Sequence, residues 1–133
     1  MNKSITRNVF FAMTVVVFLV GCSKQVAVTG KVSYTDGSPV QAGQVVFDDN
    51  KYAFRGHIGT DGSYKLGGNK DGDGIIPGKY SIYLIDTDVS EMDEHGVVKH
   101  VSHVARKYVA PETSGLTCEV KGKMTFDFEV ERP

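Results

Sequence analysis

The chain has 133 residues, with 15 basic and 16 acidic residues, four histidines and two cysteines. A chain of this length is expected to form one domain rather than two. The near balance of charge excludes a strongly basic protein, and it gives no reason to expect nucleic acid as a partner.

The first 21 residues form a segment whose composition differs from that of the rest. Lys3 and Arg7 give it a positive start without any acidic residue, and Val9 to Val20 is then apolar except for Thr14. This apolar stretch is too short to cross a hydrocarbon core as a helix, which takes about 20 residues. A positive start followed by a short apolar stretch is typical of a secretory signal peptide, which we predict for residues 1–21.

The end of this segment predicts the attachment of a lipid. Leu19, Val20, Gly21 and Cys22 resemble the lipobox of bacterial lipoproteins. In such proteins a diacylglycerol is attached to the cysteine sulfur, the signal is removed before the cysteine, and the new amino terminus is acylated. One acyl chain binds a membrane weakly because each buried CH₂ contributes only about 0.8 kcal/mol, whereas two or three chains hold a protein firmly. The alternative is a plain signal peptide, or an uncleaved anchor, with a chance cysteine.

Cleavage before Cys22 would leave a short lipid-anchored tether at 22–25 and a domain at 26–133. Removal of 21 of the 133 residues takes away two basic residues and no acidic one, which leaves 13 basic and 16 acidic residues. This net charge of −3 gives no reason to expect an anionic lipid surface or nucleic acid as a partner. The remaining cysteine, Cys118, falls on the apolar face of its run, which favours a buried apolar role over a reactive thiol.

The rest of the chain alternates apolar and polar residues in short runs separated by Gly, Asp, Asn and Pro, which is typical of β-strands. Asp36-Gly37-Ser38-Pro39 and Asp61-Gly62 are turn signals between runs. The last run is the clearest, with Phe126 and Phe128 predicted to point inward and Asp127 outward. Together the runs predict an all-β fold, a seven-stranded antiparallel β-sandwich. The runs are 26–34, 45–47, 52–58, 64–66, 80–85, 116–120 and 124–130.

Several short motifs follow one another along the domain: Val28-Thr29-Gly30-Lys31-Val32, Asp36-Gly37-Ser38-Pro39-Val40, Thr60-Asp61-Gly62-Ser63-Tyr64, Gly72-Asp73-Gly74, Pro77-Gly78-Lys79-Tyr80, Lys107-Tyr108 and Ser114-Gly115-Leu116-Thr117-Cys118-Glu119-Val120. Their order resembles that of the transthyretin-like, carboxypeptidase-regulatory-like domains that occur as small lipoproteins in some bacteria. The resemblance covers nearly all of the chain after Cys22, and it implies a seven-stranded, prealbumin-like sandwich without a common active site. The chain departs from the usual pattern mainly at 86–107, so we expect any function specific to this protein to lie there.

Residues 86–107 form a long connection rich in acidic residues and histidines, which we predict to be an inserted loop. Residues 97–104 within it are predicted as a short edge strand or ribbon. His95, His100 and His103 are candidate ligands for zinc, copper or nickel, since imidazole and carboxylate groups suit these metals. In an extended chain, however, His100 and His103 point to opposite faces, which favours solvated histidines over a metal site.

Residues 69–74 match the opening of a calcium-binding loop, with Asp71 and Asp73 as candidate ligands. The twelfth position of such a loop is Tyr80 here, so the bidentate glutamate that completes the coordination is absent. Pro77 and Gly78 also belong to the turn into the next run. A turn is therefore favoured over a calcium site.

The functional prediction is a non-catalytic envelope lipoprotein that binds or scaffolds an envelope protein or glycan and needs no cofactor. The sequence contains no nucleophile elbow, phosphate loop, paired CxxC or HExxH motif, so an enzyme is not expected. We expect the lipid to hold the protein on the outer membrane, at its periplasmic or surface face, rather than on the inner membrane. The alternative is a metal-binding lipoprotein that uses residues 86–107.

Overall fold

The structure is a computed structural model that describes residues 24–133, and it is all-β except for one helical turn and one short helix. The predicted lipid-attachment residue Cys22, and Leu19, Val20 and Gly21 before it, lie outside the described residues. None of the helical segments in 24–133 has the length and hydrophobicity that a membrane span requires.

Ten short strands make up the described fold, where the sequence pattern predicted seven. In chain order, β1 to β10 are Val28–Tyr34, Gln44–Asp48, Ala53–His57, Ser63–Lys65, Gly78–Ile85, Asp88–Met92, Val98–Ser102, Leu116–Val120, Met124–Thr125 and Phe128–Val130. A 3-10 turn at Arg106–Val109 and helix α1 at Pro111–Ser114 lie between β7 and β8. The count differs because β6 and β7 form a hairpin inside the predicted loop, and because the last predicted run is divided into β9 and β10.

Two sheets pack face to face around one core. In the first sheet, β1 lies between β4 on one side and β9 and β10 on the other, and the second sheet has the order β3–β2–β5–β8. Apolar side chains alternate with polar ones along the strands, so each sheet presents one apolar face to the other. The core includes Val28, Val32, Tyr64, Phe128 and Val130 from the first sheet and Val45, Phe47, Phe54, Tyr80, Ile82, Leu84, Cys118 and Val120 from the second.

Aromatic rings join the two sheets within this core. The ring of Phe47, in the second sheet, stands edge-on to that of Phe126, with centroids 6.0 Å apart and an interplanar angle of 87°. Phe126 also contacts Phe128 at a centroid distance of 5.8 Å, and Phe47 contacts Tyr80 at 5.9 Å. Such pairs contribute about 0.5–1.5 kcal/mol each beyond the burial of their area. The contact of Phe47 with Phe126 thus joins the two sheets, and the other two pairs extend the aromatic cluster within each sheet.

The prediction of a purely antiparallel sandwich is wrong at one place. β1 runs parallel to β9, with Val28 opposite Met124, and parallel to β10, with Val32 opposite Phe128. The reason is the direction of the preceding strand. β8 ends at the end of the molecule at which β1 begins, and the short connection 121–123 leads from there directly into β9. The remaining strand pairs of both sheets are antiparallel.

The strand directions divide the connecting segments between two ends of the sandwich. The near end, where the described chain begins, holds segments 24–27, 49–52 and 121–123. Segment 66–77 also begins and ends there, but its middle folds back along β3, where Gly67 pairs with Arg55 and Asp71 bonds to His57. Val26 is joined there to Ile75 by two backbone hydrogen bonds of 2.8 and 2.9 Å. The far end holds segments 35–43, 58–62, 86–115 and 131–133. The hairpin of β6 and β7 therefore belongs to the end of the sandwich opposite to residue 24.

Candidate functional site

The stretch 86–107 forms an ordered hairpin where the sequence pattern predicted a loop. β6 pairs with β7 in antiparallel register along the whole of both strands. The tip turn is closed by Asp93, whose Oδ1 accepts hydrogen bonds from the backbone N–H groups of His95 and Val97, each 2.9 Å long. Gly96 supplies a positive φ of 78° in this turn. The ribbon predicted within this stretch is confirmed as β7, whereas the prediction of a loop for the whole stretch is wrong.

The root of the hairpin is fixed to the sandwich. The Tyr34 hydroxyl donates a hydrogen bond of 2.8 Å to the carbonyl oxygen of His103. The backbone N–H of His103 in turn donates to the carbonyl oxygen of Thr87 at 3.2 Å. Thr87 and Val104 are buried at this root. The hairpin thus starts from a rigid base, which sets the direction in which its tip projects.

The tip of the hairpin exposes apolar side chains to solvent. Met92 is 72% exposed, Val97 54% and Val98 53%. Within the described residues, β6 and β7 form a sheet of their own, and no further strand lies on either edge. A two-stranded hairpin is marginally stable by itself, and open strand edges pair readily with another polypeptide. The tip is therefore a surface suited to binding a protein segment.

Both outer edges of the hairpin present backbone hydrogen-bonding groups. At the tip, the N–H of Asp93 donates to the carbonyl oxygen of Val97 at 2.9 Å, which marks a hydrogen-bonded pair of the ladder. Hydrogen-bonded and non-hydrogen-bonded pairs alternate in an antiparallel ladder. The N–H and C=O groups of Ser90 and Met92 therefore point outward from β6, and those of His100 point outward from β7.

The three histidines of this stretch do not converge on one point. The Nδ1 of His100 lies 3.3 Å from the Oγ of Ser90, whereas the Nε2 of His103 lies 4.0 Å from a carboxylate oxygen of Glu91. His100 and His103 thus lie on opposite faces of the hairpin, as predicted for an extended chain. His95 lies in the tip turn. The described part of the chain contains no group of three or more His, Cys, Asp or Glu side chains that could hold a metal ion.

Asp71 and Asp73, the candidate calcium ligands, form hydrogen bonds with the protein itself. One carboxylate oxygen of Asp71 accepts the backbone N–H of His57 at 3.0 Å and also lies 3.0 Å from the ring Nδ1 of His57. Asp73 accepts the backbone N–H of Lys70 at 3.2 Å. These contacts agree with a turn, the interpretation that the sequence favoured. The pairing of His57 with Asp71, 14 residues apart, has no local sequence signal.

A shallow groove runs over the outer face of the first sheet beside the pair of His57 and Asp71. Its volume is about 580 Å³. The carboxylate of Asp127 in this groove is already engaged, because its Oδ1 accepts the backbone N–H of Lys31 at 2.8 Å. The groove carries charges of both signs, from Lys31 and Lys65 and from Asp71 and Asp127. Its lining also includes Thr29, Ile58, Ser63, Lys65 and Thr125.

Cys118 lies in the core, as predicted. Its side chain is buried on the inner face of β8, and its Sγ lies 3.9 Å from the Sδ of Met124. Burial raises the pKa of the Cys118 thiol, so the reactive thiolate is disfavoured at neutral pH. Cys118 therefore contributes to packing.

Comparisons with known proteins found only distant likenesses. No family model and no curated protein matches the chain. Among solved structures, a DUF3823 family protein from Bacteroides ovatus ATCC 8483 is 16% identical, with a TM-score of 0.47 over 82% of this chain and 45% of that one. A DUF3823 family protein from Bacteroides uniformis ATCC 8492 is 14% identical, with a TM-score of 0.45 over 82% of this chain and 44% of that one. The Bacillus anthracis TIE protein is 10% identical, with a TM-score of 0.44 over 81% of this chain and 16% of that one. The chain thus spans less than half of the length of each of these proteins.

Strand β6 is the part of the hairpin that the sequence pattern did not predict. Alternation reveals a strand only when one face is buried, and most of Asp88–Met92 is exposed on both faces. The local signal that could have revealed it is the Asp-x-x-Gly turn formed by Asp93 and Gly96, directly before the predicted ribbon. Turn chemistry thus carried more information here than periodicity.

Proposed function

We propose that this protein is a non-catalytic envelope lipoprotein, with a lipid on Cys22 as its membrane anchor and a transthyretin-like β-sandwich as a binding or scaffolding module. The predicted signal segment 1–21 supports export and anchoring. The observation that supports a binding role is the hairpin of β6 and β7, whose apolar tip and two open edges lie at the far end of the sandwich.

The short tether supports presentation of this hairpin away from the membrane. Cys22 and Val26 are four residues apart, so the extended chain between them spans at most about 14 Å. Because Val26 is fixed to Ile75 at the near end, a lipid on Cys22 would hold that end close to the bilayer. The hairpin would then face the aqueous compartment.

The hairpin fits an envelope protein better than a glycan. Its outward backbone groups can extend the ladder with a strand of another polypeptide, which gives affinity through main-chain hydrogen bonds. The flexible side chain of Met92 adapts to an irregular apolar partner. Between Asp88 and Ser102 the chain has no Phe, Tyr or Trp on which a sugar could stack. We therefore propose a protein partner that binds by strand addition at the hairpin.

The anchoring part of the proposal is tested by metabolic labelling with a palmitate analogue in a bacterial host. Cys22→Ser should abolish labelling and leave unprocessed precursor, whereas the matched variant Cys118→Ser should be labelled and cleaved as usual. A Cys22→Ser protein that is still cleaved and still partitions into detergent would contradict the lipoprotein assignment.

The binding part is tested by capture from the native envelope with the lipidated protein as bait. A variant with Met92, Val97 and Val98 all changed to Ser should lose the captured partner while keeping its melting temperature. Tyr52→Ser is the matched control, because Tyr52 is also an exposed apolar residue but lies at the near end. If the hairpin variant captures the same proteins as the control, the hairpin is not the binding surface.

A further inference from the structure

Five exposed lysines lie in the connecting segments that begin and end at the near end, and we call them the near-end lysines. The same segments contain three acidic residues, Asp49, Asp71 and Asp73. The connections at this end therefore carry a net positive charge, although the chain after residue 21 is net negative. The near-end lysines are Lys24, Lys51, Lys70, Lys121 and Lys123.

The near-end lysines have no ion-pair partner within 4.0 Å in the described part of the chain. The nearby carboxylates are engaged in other contacts. Asp49 accepts the backbone N–H groups of Lys51 and Tyr52 at 2.8 and 2.6 Å, and Asp71 and Asp73 bind His57 and a backbone N–H, as described above. The Nζ of Lys51 lies 5.1 Å from the centroid of the exposed Tyr52 ring. The ammonium groups at this end thus remain available to an external anion.

The far end has the opposite charge. Its segments contain nine acidic and four basic residues. Three of the four basic residues already form ion pairs, which are Lys99–Asp93 at 3.7 Å, Lys107–Glu131 at 2.9 Å and Arg132–Asp36 at 3.3 Å. The residues between the two ends, 28–34, 44–48, 53–57, 63–65, 78–85, 116–120 and 124–130, include four basic and four acidic ones. Charge is therefore separated along the long direction of the sandwich.

We infer that the near-end lysines are a contact surface for the anionic phospholipid headgroups of the membrane that carries the protein. This inference rests on the proposed lipid anchor. The short tether would keep these lysines within reach of the headgroups, where a negative surface potential attracts Lys side chains. The acidic far end would be repelled, so the sandwich would stand upright with the hairpin directed away from the bilayer. The net charge alone gave no reason to expect an anionic lipid surface, because it does not report how the charges are distributed.

The test measures the distance of the hairpin tip from the bilayer. The lipidated protein, with a donor dye on Glu94→Cys at the tip, is reconstituted on vesicles of phosphatidylcholine alone or with phosphatidylglycerol, each with acceptor-labelled headgroups. Cys118 is buried and is not expected to take the dye in the folded protein. Energy transfer should be lower on the anionic vesicles. The difference should disappear in 1 M salt, where the Debye length is about 3 Å.

Two matched variants decide whether the near-end lysines cause this orientation. Changing Lys51, Lys70, Lys121 and Lys123 to Gln should abolish the difference between the two vesicle types, with Lys24 kept so that processing at the lipobox is undisturbed. The control removes the same amount of charge elsewhere, by changing Lys31, Arg55, Arg106 and Lys107 to Gln, and should keep the difference.

Each outcome separates the orientation from the anchor. If the unsubstituted protein gives equal energy transfer on both vesicles, or if the two quadruple variants behave alike, the lysine surface is rejected while the anchor stands. Anchoring is read independently by flotation with neutral vesicles in 1 M salt. Failure to float would reject the lipid anchor, and with it the membrane contact that depends on it.

Discussion

The hydroxyl of Tyr64 donates a hydrogen bond of 2.5 Å to the carbonyl oxygen of Phe126, and the bond passes over Gly30. Gly30 lies opposite Tyr64 in the pairing of β1 with β4. A Cβ atom on Gly30 would lie 1.9 Å from that carbonyl oxygen and 2.7 Å from the hydroxyl. The bond therefore requires a residue without a side chain at position 30. Burial raises the pKa of Tyr64 and keeps its hydroxyl protonated as a donor.

We expect substitutions at this bond to destabilise the domain. Gly30→Ala should lower the free energy of unfolding by about 3 kcal/mol, because the new methyl group overlaps the backbone of Phe126. Tyr64→Phe should cost about 1–3 kcal/mol, since it leaves a carbonyl acceptor without its partner. Denaturant unfolding of the lipidated protein in detergent measures both losses. Gly122→Ala is the control, because a Cβ there meets no atom within 4 Å, and an equal loss for Gly122→Ala would contradict the explanation.

This bond also shows which parts of the fold the sequence could predict. Alternation in the last run predicted the inward and outward faces correctly, because a period of two fixes the face of each residue whatever the neighbouring strand is. It did not predict that the run would be divided at Phe126. The partner of that carbonyl, Tyr64, is 62 residues away in the chain, and no local pattern records such a contact.

The same limit applies to the candidate site. The sequence directed attention to 86–107 because of its length and composition, and the hairpin lies there. The exposed edges of the hairpin depend on how β6 pairs with β7, and the separation of charge depends on which connections share an end. The exposed edges and the separation of charge both depend on the topology of the fold, and the topology cannot be read from the amino-acid composition.

Asp127 is predicted to stabilise the break between β9 and β10. Although it points outward, its Oδ1 accepts the backbone N–H of Lys31 at 2.8 Å, in place of a bond between main chains. Asp127→Ala should lower the free energy of unfolding by about 0.5–1.5 kcal/mol, the net contribution of an ordinary hydrogen bond. Asp127→Asn should restore most of the loss because it keeps an acceptor oxygen. Thr125→Ala, also on the outer face, should change the free energy of unfolding by no more than about 0.5 kcal/mol. If Thr125→Ala lost as much stability as Asp127→Ala, removal of an outer side chain alone would explain both losses, and the hydrogen bond to Lys31 would not.

Cys118 should react with a thiol reagent only when the domain opens. Because burial raises the pKa of its thiol, the thiolate is disfavoured in the folded state. The rate of its reaction should therefore begin to rise at a higher pH than the rate for an exposed cysteine. We expect alkylation at pH 8 to be at least about tenfold slower in the folded protein than in denaturant. The control is Cys118→Ser with Thr117→Cys, which moves the thiol to the exposed face of the same strand and should react rapidly. Equal rates for the two proteins would show that Cys118 is accessible.

The histidines of the hairpin provide the last prediction, which separates a protein-binding hairpin from a metal site. Because His100 and His103 lie on opposite faces, we expect added zinc or copper to leave the melting temperature unchanged. Changing His95, His100 and His103 together to Ala should not alter this response. If the hairpin held a metal, binding to the folded form would stabilise it by RT ln(1 + [L]/Kd), about 2.7 kcal/mol at a hundredfold excess over Kd. Such a gain would raise the melting temperature of a domain of this size by several degrees. A rise of that size with micromolar metal, lost in the triple variant, would favour a metal-binding lipoprotein over the function proposed above.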